Sequence, residues 1–400
     1  MLNRLFAWRH RFTLNHASSG FVAWLFGVSG PLLIVLNAAA QGDLPESIVT
    51  SWVFAIYVTG GVFTMILSQY YRKPIAFAHS IPGAVLVGTT LANHSIETVV
   101  GAYIVTALLI FLVGITGAAD RVMKLIPLPI MMGMVSGVLL PFGLGIVTSV
   151  KADPVLNGLP LIAFLALAAF GAVAKRVPPI VAAIAVSAIV MYFMDIGPTR
   201  AVSLEIAVPV WISPEFDLGV IGELVIPLAI TVIGIQNAQG IGVLRNTGYV
   251  PPVKAMTIWS GIGSLVNGVM GGHSACIAGP MTAIIADKEN GKLEYRYYGA
   301  MVMGILWIIF GVFAPTMVQL AGAIPASLIQ LLGGLAMIGV LMQSMQTSFS
   351  STHKMGALFA FLITLSNISI FQIGAPFWGL VGGMLVSWVL DQADWRKKPT

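Results

Sequence analysis

Long uncharged apolar runs follow one another along almost the whole chain of 400 residues. Only 9% of the residues are charged and 58% are hydrophobic, whereas an average soluble domain has about 25% charged and about 45–50% apolar residues. A bilayer-spanning helix needs about 20 mainly apolar residues. The runs are continuous rather than alternating, which excludes an outer-membrane β-barrel. The sequence therefore predicts an all-α membrane protein with many crossings.

Charges and turn residues divide the chain into fourteen predicted segments. The first seven are residues 17–40, 47–69, 79–92, 97–118, 125–149, 157–174 and 178–195. The second seven are residues 219–244, 252–270, 275–287, 297–320, 325–346, 355–371 and 374–391. Segments 3 and 10 are too short to cross a bilayer alone. The basic N-terminus and the apolar run after it resemble a signal peptide, but the run is longer than usual, so we interpret it as a retained first helix.

The positions of the Lys and Arg residues predict the orientation of the chain. With both termini in the cytoplasm, every Lys and Arg except Lys151 and Arg200 falls on the cytoplasmic side, as the positive-inside rule requires. The net charge of +5 thus indicates orientation and not a nucleic-acid partner. A single cysteine, Cys276, excludes an intrachain disulfide.

The longest external connection, residues 196–218, separates the two sets of seven segments. Because seven is odd, the second set enters the membrane with the opposite orientation. Inverted repeats of this kind are typical of secondary transporters.

Two stretches, "PIAFAHSIPGA" and "GGHSACIAGP", break the apolar pattern in the same way, at segments 3 and 10. Gly and Pro suit a helix interior poorly, so we expect extended backbone at residues 74–78 and 271–274. The short helices would then begin near Ser80 and Ala275, at mid-membrane. A helix N-terminus carries unpaired N–H groups and a partial positive charge. Two such ends facing each other predict an anion site that needs no Lys or Arg.

Candidate ligand contacts cluster around these breaks. The predicted contacts at the breaks are Phe77, His79, Ser80, Ile81, His273, Ser274, Ala275 and Cys276. Either histidine can bind substrate or a proton, or can merely cap a helix, and the two serines are good N-cap types. No Asp or Glu maps to mid-membrane, Glu223 being the nearest. Candidates for proton coupling are therefore His79, His273 or the carboxylate of the substrate itself.

Two other segments contribute candidates. Segment 8 carries Gln236, Asn237 and Gln239 within four residues, and such amides either bond across helices or line a cavity. In segment 1, Phe26 and Ser29 fall near mid-depth, where the ring of Phe26 packs on neighbours or forms an apolar wall for a flat ligand.

Four motifs carry a resemblance to a known family. They are "AHSIPGA", "GIQNAQGIGVLRNTGY", "GHSACIAGPMTAIIA" and "GAPFWGLVGG". Together they resemble the benzoate:proton symporter family (BenE type) of bacterial inner membranes, over nearly the whole chain. That family resembles a wider group of nucleobase, ascorbate and sulfate/bicarbonate carriers.

The resemblance implies seven plus seven inverted repeats. It implies a core domain of residues 17–118 and 219–320, and a gate domain of residues 119–195 and 321–391. It also implies a substrate bound between segments 3 and 10, beside segments 1 and 8, and a homodimer through the gate domain. Nucleobase carriers of this group have carboxylates on segments 8 and 10. This chain has Gln236 and Asn237, and residues 273–276, in those regions, which favours an anionic substrate.

The leading hypothesis is proton-coupled uptake of benzoate or a similar aromatic carboxylate by alternating access, with no cofactor and no metal. The alternatives are a nucleobase or inorganic-anion carrier of the same fold, and an anion channel. An enzyme is disfavoured because the six His residues show no metal-ligand spacing, and an ATP-driven pump because no phosphate-binding loop is present.

Overall fold

The computed structural model describes residues 12–119, 126–171, 177–197, 202–322, 324–350, 352–370 and 373–396. Seven helices in this part of the chain are long and apolar enough to cross a membrane. They are Leu14–Gln41, Glu46–Tyr71, Ile96–Thr116, Leu128–Ala152, Leu218–Asn246, Leu293–Val312 and Ala326–Phe349. Five shorter apolar helices are Ile81–Leu91, Pro154–Ala169, Pro179–Phe193, Lys354–Leu365 and Ala375–Leu390. The prediction of a helical membrane protein with many apolar helices is confirmed.

Further helices and four strands complete the described part of the fold. The helices among them are Val253–Gly268, Gly279–Ala286, Ala314–Gly322 and Gln392–Trp395, with 3-10 turns at Lys288–Asn290 and Leu293–Tyr295. The strands are Phe77–His79, Ala275–Ile277, Ser369–Ile370 and Ile373–Gly374. We call Ile81–Leu91 the first short helix and Gly279–Ala286 the second short helix. The antiparallel pair Phe77–His79 and Ala275–Ile277 is the central strand pair.

A helix lies in every one of the fourteen predicted segments, but several are interrupted. The first is divided at Gly30, where Pro31 begins a new helix. The eighth widens into a π-helical stretch at Thr231–Asn237. The eleventh divides into Tyr297–Val312 and Ala314–Gly322. Many of the cations used to predict orientation lie outside the described residues: Arg4, Arg9, Arg11, Arg121, Lys124, Lys175, Arg176, Arg200, Lys397 and Lys398.

The central strand pair joins the two halves of the chain inside the molecule. Phe77 pairs with Ile277, Ala78 with Cys276 and His79 with Ala275, and all six residues are buried. The ladder continues at both ends, because Ser80 N–H donates to Ser274 O at 3.0 Å and Ala278 N–H donates to Ala76 O at 2.9 Å. Extended backbone in the membrane interior thereby finds hydrogen-bond partners that lipid cannot supply.

Hydroxyl groups of neighbouring helices satisfy the outer edges of this pair. The Thr64 hydroxyl accepts from Phe77 N–H at 2.8 Å and donates to Phe77 O at 3.2 Å. The Ser68 hydroxyl bonds Ile75 N and O in the same way, at 3.1 and 3.0 Å. On the other side, Ser264 Oγ accepts from Ala275 N–H at 3.0 Å. These hydroxyl groups therefore lie where the irregular backbone needs hydrogen-bond partners.

The predicted start of the second short helix at Ala275 is wrong. That helix begins at Gly279, because Ala275–Ile277 is a strand. The first short helix begins at Ile81, close to the predicted start. Each helix has Pro at its second position, Pro82 in one and Pro280 in the other, which is a favourable position for Pro.

The two His-Ser pairs therefore do not occupy equivalent positions. The N-cap residues are Ser80 and Ala278, so the structural match is "SIPG" with "AGPM". By this match His79 corresponds to Ile277, directly before the N-cap, whereas His273 lies five residues before its N-cap. The His-Ser pair present in both stretches suggested a symmetric pair of histidines. The strand register instead places the two histidines at non-equivalent positions relative to the short helices.

Helix packing follows a pattern that links the two halves. Glu46–Tyr71 packs against Tyr297–Val312, and Ile96–Thr116 packs against Val253–Gly268. Leu128–Ala152 packs against Ala326–Phe349. In the predicted numbering these pairs are segments 2 with 11, 4 with 9, and 5 with 12.

Glycines allow the closest of these approaches. A Cβ atom on Gly61 would lie 2.5 Å from Gly304 O and 2.8 Å from Ile308 Cγ1. We expect Gly61→Ala to lower the melting temperature in detergent, because overpacking costs about 1–3 kcal/mol. Gly339→Ala is the matched control, since Gly339 also lies inside a helix but a Cβ there meets nothing within 4 Å. That variant should be neutral or stabilising by up to about 1 kcal/mol. Equal melting temperatures for the two variants would contradict this packing.

Candidate functional site

A cavity of about 60 Å³ lies where the two short helices begin. From the short helices and their flanks it is lined by Ala78, His79, Ile81, Pro82, Ala278, Pro280 and Met281. From the first and eighth predicted segments it is lined by Phe26, Pro31, Ile235, Gln236 and Gln239. From Leu128–Ala152 and Ala326–Phe349 it is lined by Met132, Val135, Val340, Gln343 and Ser344. No Lys, Arg, Asp or Glu is among these residues, so any charge selectivity must come from helix ends and polar uncharged groups.

The first short helix has a capped N-terminus. Ser80 Oγ accepts from Gly83 N–H at 3.1 Å and donates to Thr231 Oγ1 at 3.1 Å. Pro82 has no N–H. Of the first three helical positions, only Ile81 retains an N–H without an intrahelical or capping partner. The Ser80 hydroxyl is therefore committed to the scaffold.

The second short helix has an uncapped N-terminus. Its N-cap residue is Ala278, and no side chain caps the helix. Pro280 has no N–H, so Gly279 and Met281 both retain N–H groups without an intrahelical partner. Since the partial positive charge of a helix resides on such groups, this end is the stronger of the two for an anion.

His273 is held by hydrogen bonds on both ring nitrogens. Trp52 Nε1–H, which can only donate, points to His273 Nδ1 at 3.0 Å. His273 Nδ1 is therefore the acceptor, and Nε2–H donates to Ser80 O at 2.8 Å. His273 is fully buried and does not line the cavity. In this structure it fixes the first short helix to Glu46–Tyr71.

His79 has the opposite environment. Its side chain is 3% exposed and lines the cavity, and neither of its ring nitrogens has a hydrogen-bond partner within the described part of the protein. The ring packs edge-on against Tyr57 and His273, with centroid distances of 5.5 and 5.2 Å. Buried polar atoms are normally paired. His79 is therefore available to a ligand, offering one donor and one acceptor when neutral.

The three amides of segment 8 have three different environments. Asn237 is buried, accepts from Ile277 N–H at 2.8 Å and donates to Ser260 Oγ at 3.0 Å, so it ties the π-helical stretch to the central strand pair. Gln236 lines the cavity and has no hydrogen-bond partner in the part of the chain described. Gln239 lines the cavity and donates to Gln343 Oε1 at 3.2 Å.

The other predicted contacts are divided between the cavity and the protein interior. Phe26 and Ile81 line the cavity. Ser29 is buried and donates to Phe26 O at 3.5 Å. Phe77 packs on Phe63 in a separate apolar cluster. The remaining three, Ser274, Ala275 and Cys276, are buried around the second strand, away from the cavity lining.

The sequence reasoning missed the wall contributed by Leu128–Ala152 and Ala326–Phe349. Met132, Val135, Val340, Gln343 and Ser344 belong to it. Ser136 Oγ donates to Ser344 Oγ at 2.9 Å, which joins the two helices beside the cavity. The available signal was the similarity of "LIPLPIMMGMVSGVLL" to "AIPASLIQLLGGLAMIGV" at the starts of segments 5 and 12. It suggests that the two helices correspond, but it does not indicate which face meets the site.

Comparison with known sequences identifies relatives over almost the full length. The family described as benzoate membrane transport protein matches residues 10–389. The chain is 31% identical to a benzoate membrane transport protein of Acinetobacter baylyi over 387 residues, which is 94% of this chain and 95% of the relative. It is 33% identical to the inner membrane protein YdcO of Escherichia coli over 375 residues, which is 93% of this chain and 95% of that protein.

Comparison with solved structures identifies the fold. The transmembrane domain of the cyanobacterial bicarbonate transporter BicA has a TM-score of 0.61 at 12% identity, covering 92% of this chain and 97% of that one. SLC26A9 has a TM-score of 0.62 at 13% identity, covering 96% of this chain and 67% of that one. The fold of these carriers is thus shared, as the resemblance to sulfate/bicarbonate carriers implied.

Adjacent amides give a direct test of the two roles found in segment 8. We expect Asn237→Ala to lower the free energy of unfolding by about 1–3 kcal/mol, because it leaves the buried Ile277 N–H unpaired. Gln236→Ala removes no hydrogen bond and should leave the melting temperature in detergent nearly unchanged. A comparable loss of stability in both variants would show that the hydrogen bonds of Asn237 do not hold the strand pair.

Proposed function

The chain belongs to the family of benzoate membrane transport proteins, and we propose that it takes up benzoate or a similar aromatic carboxylate together with protons. The observation that carries the proposal is the cavity at the two short-helix N-termini. It presents unpaired backbone N–H groups and an unpaired His79 within an otherwise mainly apolar lining. Such a site suits a ligand with one anionic end and one flat apolar end.

The proposed architecture has fourteen segments in two inverted repeats of seven, with the two short helices as half-helices. The packing pairs support it. In an inverted repeat, each segment of the first half corresponds to the segment seven places later. The contact between segments 2 and 11 then corresponds to the contact between segments 9 and 4, and the contact between segments 5 and 12 corresponds to itself. All of these pairs are in contact. The two short helices also each pack on an equivalent partner, Pro31–Gln41 for the first and Ala238–Asn246 for the second.

The cavity lies between two groups of helices that we propose to move against each other. Segments 1–4 and 8–11 form the core group and segments 5–7 and 12–14 form the gate group. The helix ends, His79, Gln236 and Gln239 belong to the core group, whereas Met132, Val135, Val340, Gln343 and Ser344 belong to the gate group. Relative motion of the two groups would then open the site to either side in turn.

The substrate carboxylate would bind at the helix ends and the ring would face the apolar wall. Unpaired N–H groups at Ile81, Gly279 and Met281 are available to the carboxylate. Phe26, Met132 and Val340 supply apolar surface in the same cavity. The cavity of about 60 Å³ is smaller than the roughly 150 Å³ of a cavity that holds benzene. The gate group must therefore move away from the core group before substrate enters.

Proton coupling would depend on His79 or on the substrate carboxylate. No acidic side chain lines the cavity, and His273 has both ring nitrogens in hydrogen bonds to the protein. Protonation of His273 would break its bond from Trp52. Of the two histidines, His79 is therefore the better candidate.

The membrane and its sidedness are part of the same proposal. The Escherichia coli relative is named an inner membrane protein, which supports the bacterial inner membrane. The Lys and Arg distribution supports cytoplasmic termini. A homodimer through the gate group, implied by the family resemblance, stays a prediction.

A small inorganic anion is the second candidate substrate. The fold shared with a bicarbonate transporter favours it. The mainly apolar lining favours the aromatic acid, because an inorganic anion gains nothing from contact with Phe26, Val135 and Val340. Competition between bicarbonate and benzoate for the purified protein separates the two candidates.

Uptake of labelled benzoate into proteoliposomes tests the proposal. With the outside more acidic than the inside, we expect the initial rate to exceed the baseline about tenfold or more, and to fall when related aromatic acids compete. Undissociated benzoic acid crosses lipid unaided, so protein-free vesicles under the same gradient give the baseline. A rate no higher than baseline from folded protein would contradict the proposed substrate.

His79→Leu supplies the matched protein control for this uptake. The variant should keep the melting temperature of the wild type, because the His79 nitrogens bond no protein group. It should lose about tenfold or more in uptake, since a hydrogen bond to a charged group contributes about 1.5–3 kcal/mol. Full uptake activity of this variant would show that His79 does not bind the substrate.

A further inference from the structure

We propose that Gln343 positions Gln239 against the start of the second short helix, and that an anionic substrate displaces Gln239 and so releases this pair. The inference rests on the proposed function and adds a positioning residue, Gln343, from the gate group. In this proposal, the hydrogen-bonded amides of Gln239 and Gln343 link substrate binding to movement between the two groups of helices.

The first observation is a direct hydrogen bond across the cavity. Gln239 Nε2–H donates to Gln343 Oε1 at 3.2 Å. Gln239 lies on Ala238–Asn246 and Gln343 on Ala326–Phe349, so the bond joins the core group to the gate group. Both residues line the cavity. Movement of the two groups apart must break this bond.

The second observation is the contact between Gln239 and the second short helix. A Cβ atom on Gly279 would lie 2.5 Å from Gln239 Cγ and 2.7 Å from Gln239 Oε1. The side chain of Gln239 therefore packs directly on the first residue of a helix that no side chain caps. The glycine is required for this contact, because any larger residue would push Gln239 away.

The third argument is that the helix start beside Gln239 suits a carboxylate better than an amide. The N–H groups of Gly279 and Met281 have no intrahelical partner, and an anion gains from the helix end more than a neutral carbonyl does. His79, 3% exposed and with both ring nitrogens unpaired, lines the same cavity. These features direct a ligand carboxylate to the region that Gln239 occupies.

Displacement of Gln239 has a consequence for the gate group. When the carboxylate takes this place, Gln239 turns away and its bond to Gln343 is lost. While substrate is bound, this hydrogen bond therefore no longer opposes movement of the gate group. Because a neutral hydrogen bond contributes about 1 kcal/mol net, the pair opposes substrate binding by up to about fivefold.

Benzoate affinity of the purified protein tests this directly by calorimetry. Gln343→Met keeps the length of the side chain but removes the acceptor, and we expect its Kd for benzoate to fall by up to about fivefold. Gln239→Met removes the donor and should have the same effect. The double variant should bind no more tightly than either single variant, because both remove one bond.

Gln330→Met is the control, because Gln330 lies on the same helix as Gln343 and bonds Thr148 within the gate group. Its Kd should match that of the wild type. Weaker binding by Gln343→Met would mean that Gln343 contacts substrate itself, and an unchanged Kd would mean that the pair does not oppose binding. Either result overturns the proposal.

A second experiment needs no substrate. It can therefore contradict this inference even if the proposed substrate is correct, and support it even if the proposed substrate is wrong. Cysteines at the exposed positions Lys254 and Lys354 place one dye on the core group and one on the gate group. The native Cys276 is fully buried, so labelling is selective. Without ligand, Gln343→Met should raise the fraction of molecules with separated groups about fivefold in single-molecule energy transfer. An unchanged fraction overturns the inference, whichever anion the wild type binds.

Discussion

The structure depends on how it satisfies broken backbone inside a membrane. Two short helices begin in the protein interior, and the chain leading to each is extended, so its N–H and C=O groups need partners that lipid lacks. The antiparallel pairing of Phe77–His79 with Ala275–Ile277 supplies most of them. Hydroxyls of Thr64, Ser68 and Ser264 supply others. Because the strands are satisfied in this way, the helix ends themselves stay available to a ligand.

The two halves share this design but differ in detail at the candidate site. Ser80 caps one short helix, whereas Ala278 leaves the other uncapped. His273 is part of the scaffold, whereas His79 presents unpaired nitrogens to the cavity. The proposed two-fold arrangement would therefore enclose an asymmetric site, which suits an asymmetric molecule with one charged end.

The sequence predicted the short helices because a His-Ser pair occurs together with Gly and Pro in two apolar stretches, residues 74–84 and 271–280. It could not predict that Ala275–Ile277 is a strand, because three small or apolar residues have that conformation only through pairing with Phe77–His79. The sequence also suggested that His79 and His273 are equivalent. Their positions depend on the strand register, which is set by pairing between distant segments. The wall containing Gln343 was missed because the polar residues of Ala326–Phe349 are spread around the helix, so that periodicity does not show which face meets the site.

The central claim is that the two short-helix N-termini hold the carboxylate of the substrate. A structure of the protein with 4-iodobenzoate tests it most directly, because the iodine marks the ring and so orients the carboxylate. We expect carboxylate oxygens within about 3.2 Å of backbone N–H groups at Ile81, Gly279 or Met281, and the iodine towards Leu128–Ala152 or Ala326–Phe349. A ligand bound elsewhere, or with its carboxylate remote from both helix ends, would contradict the account.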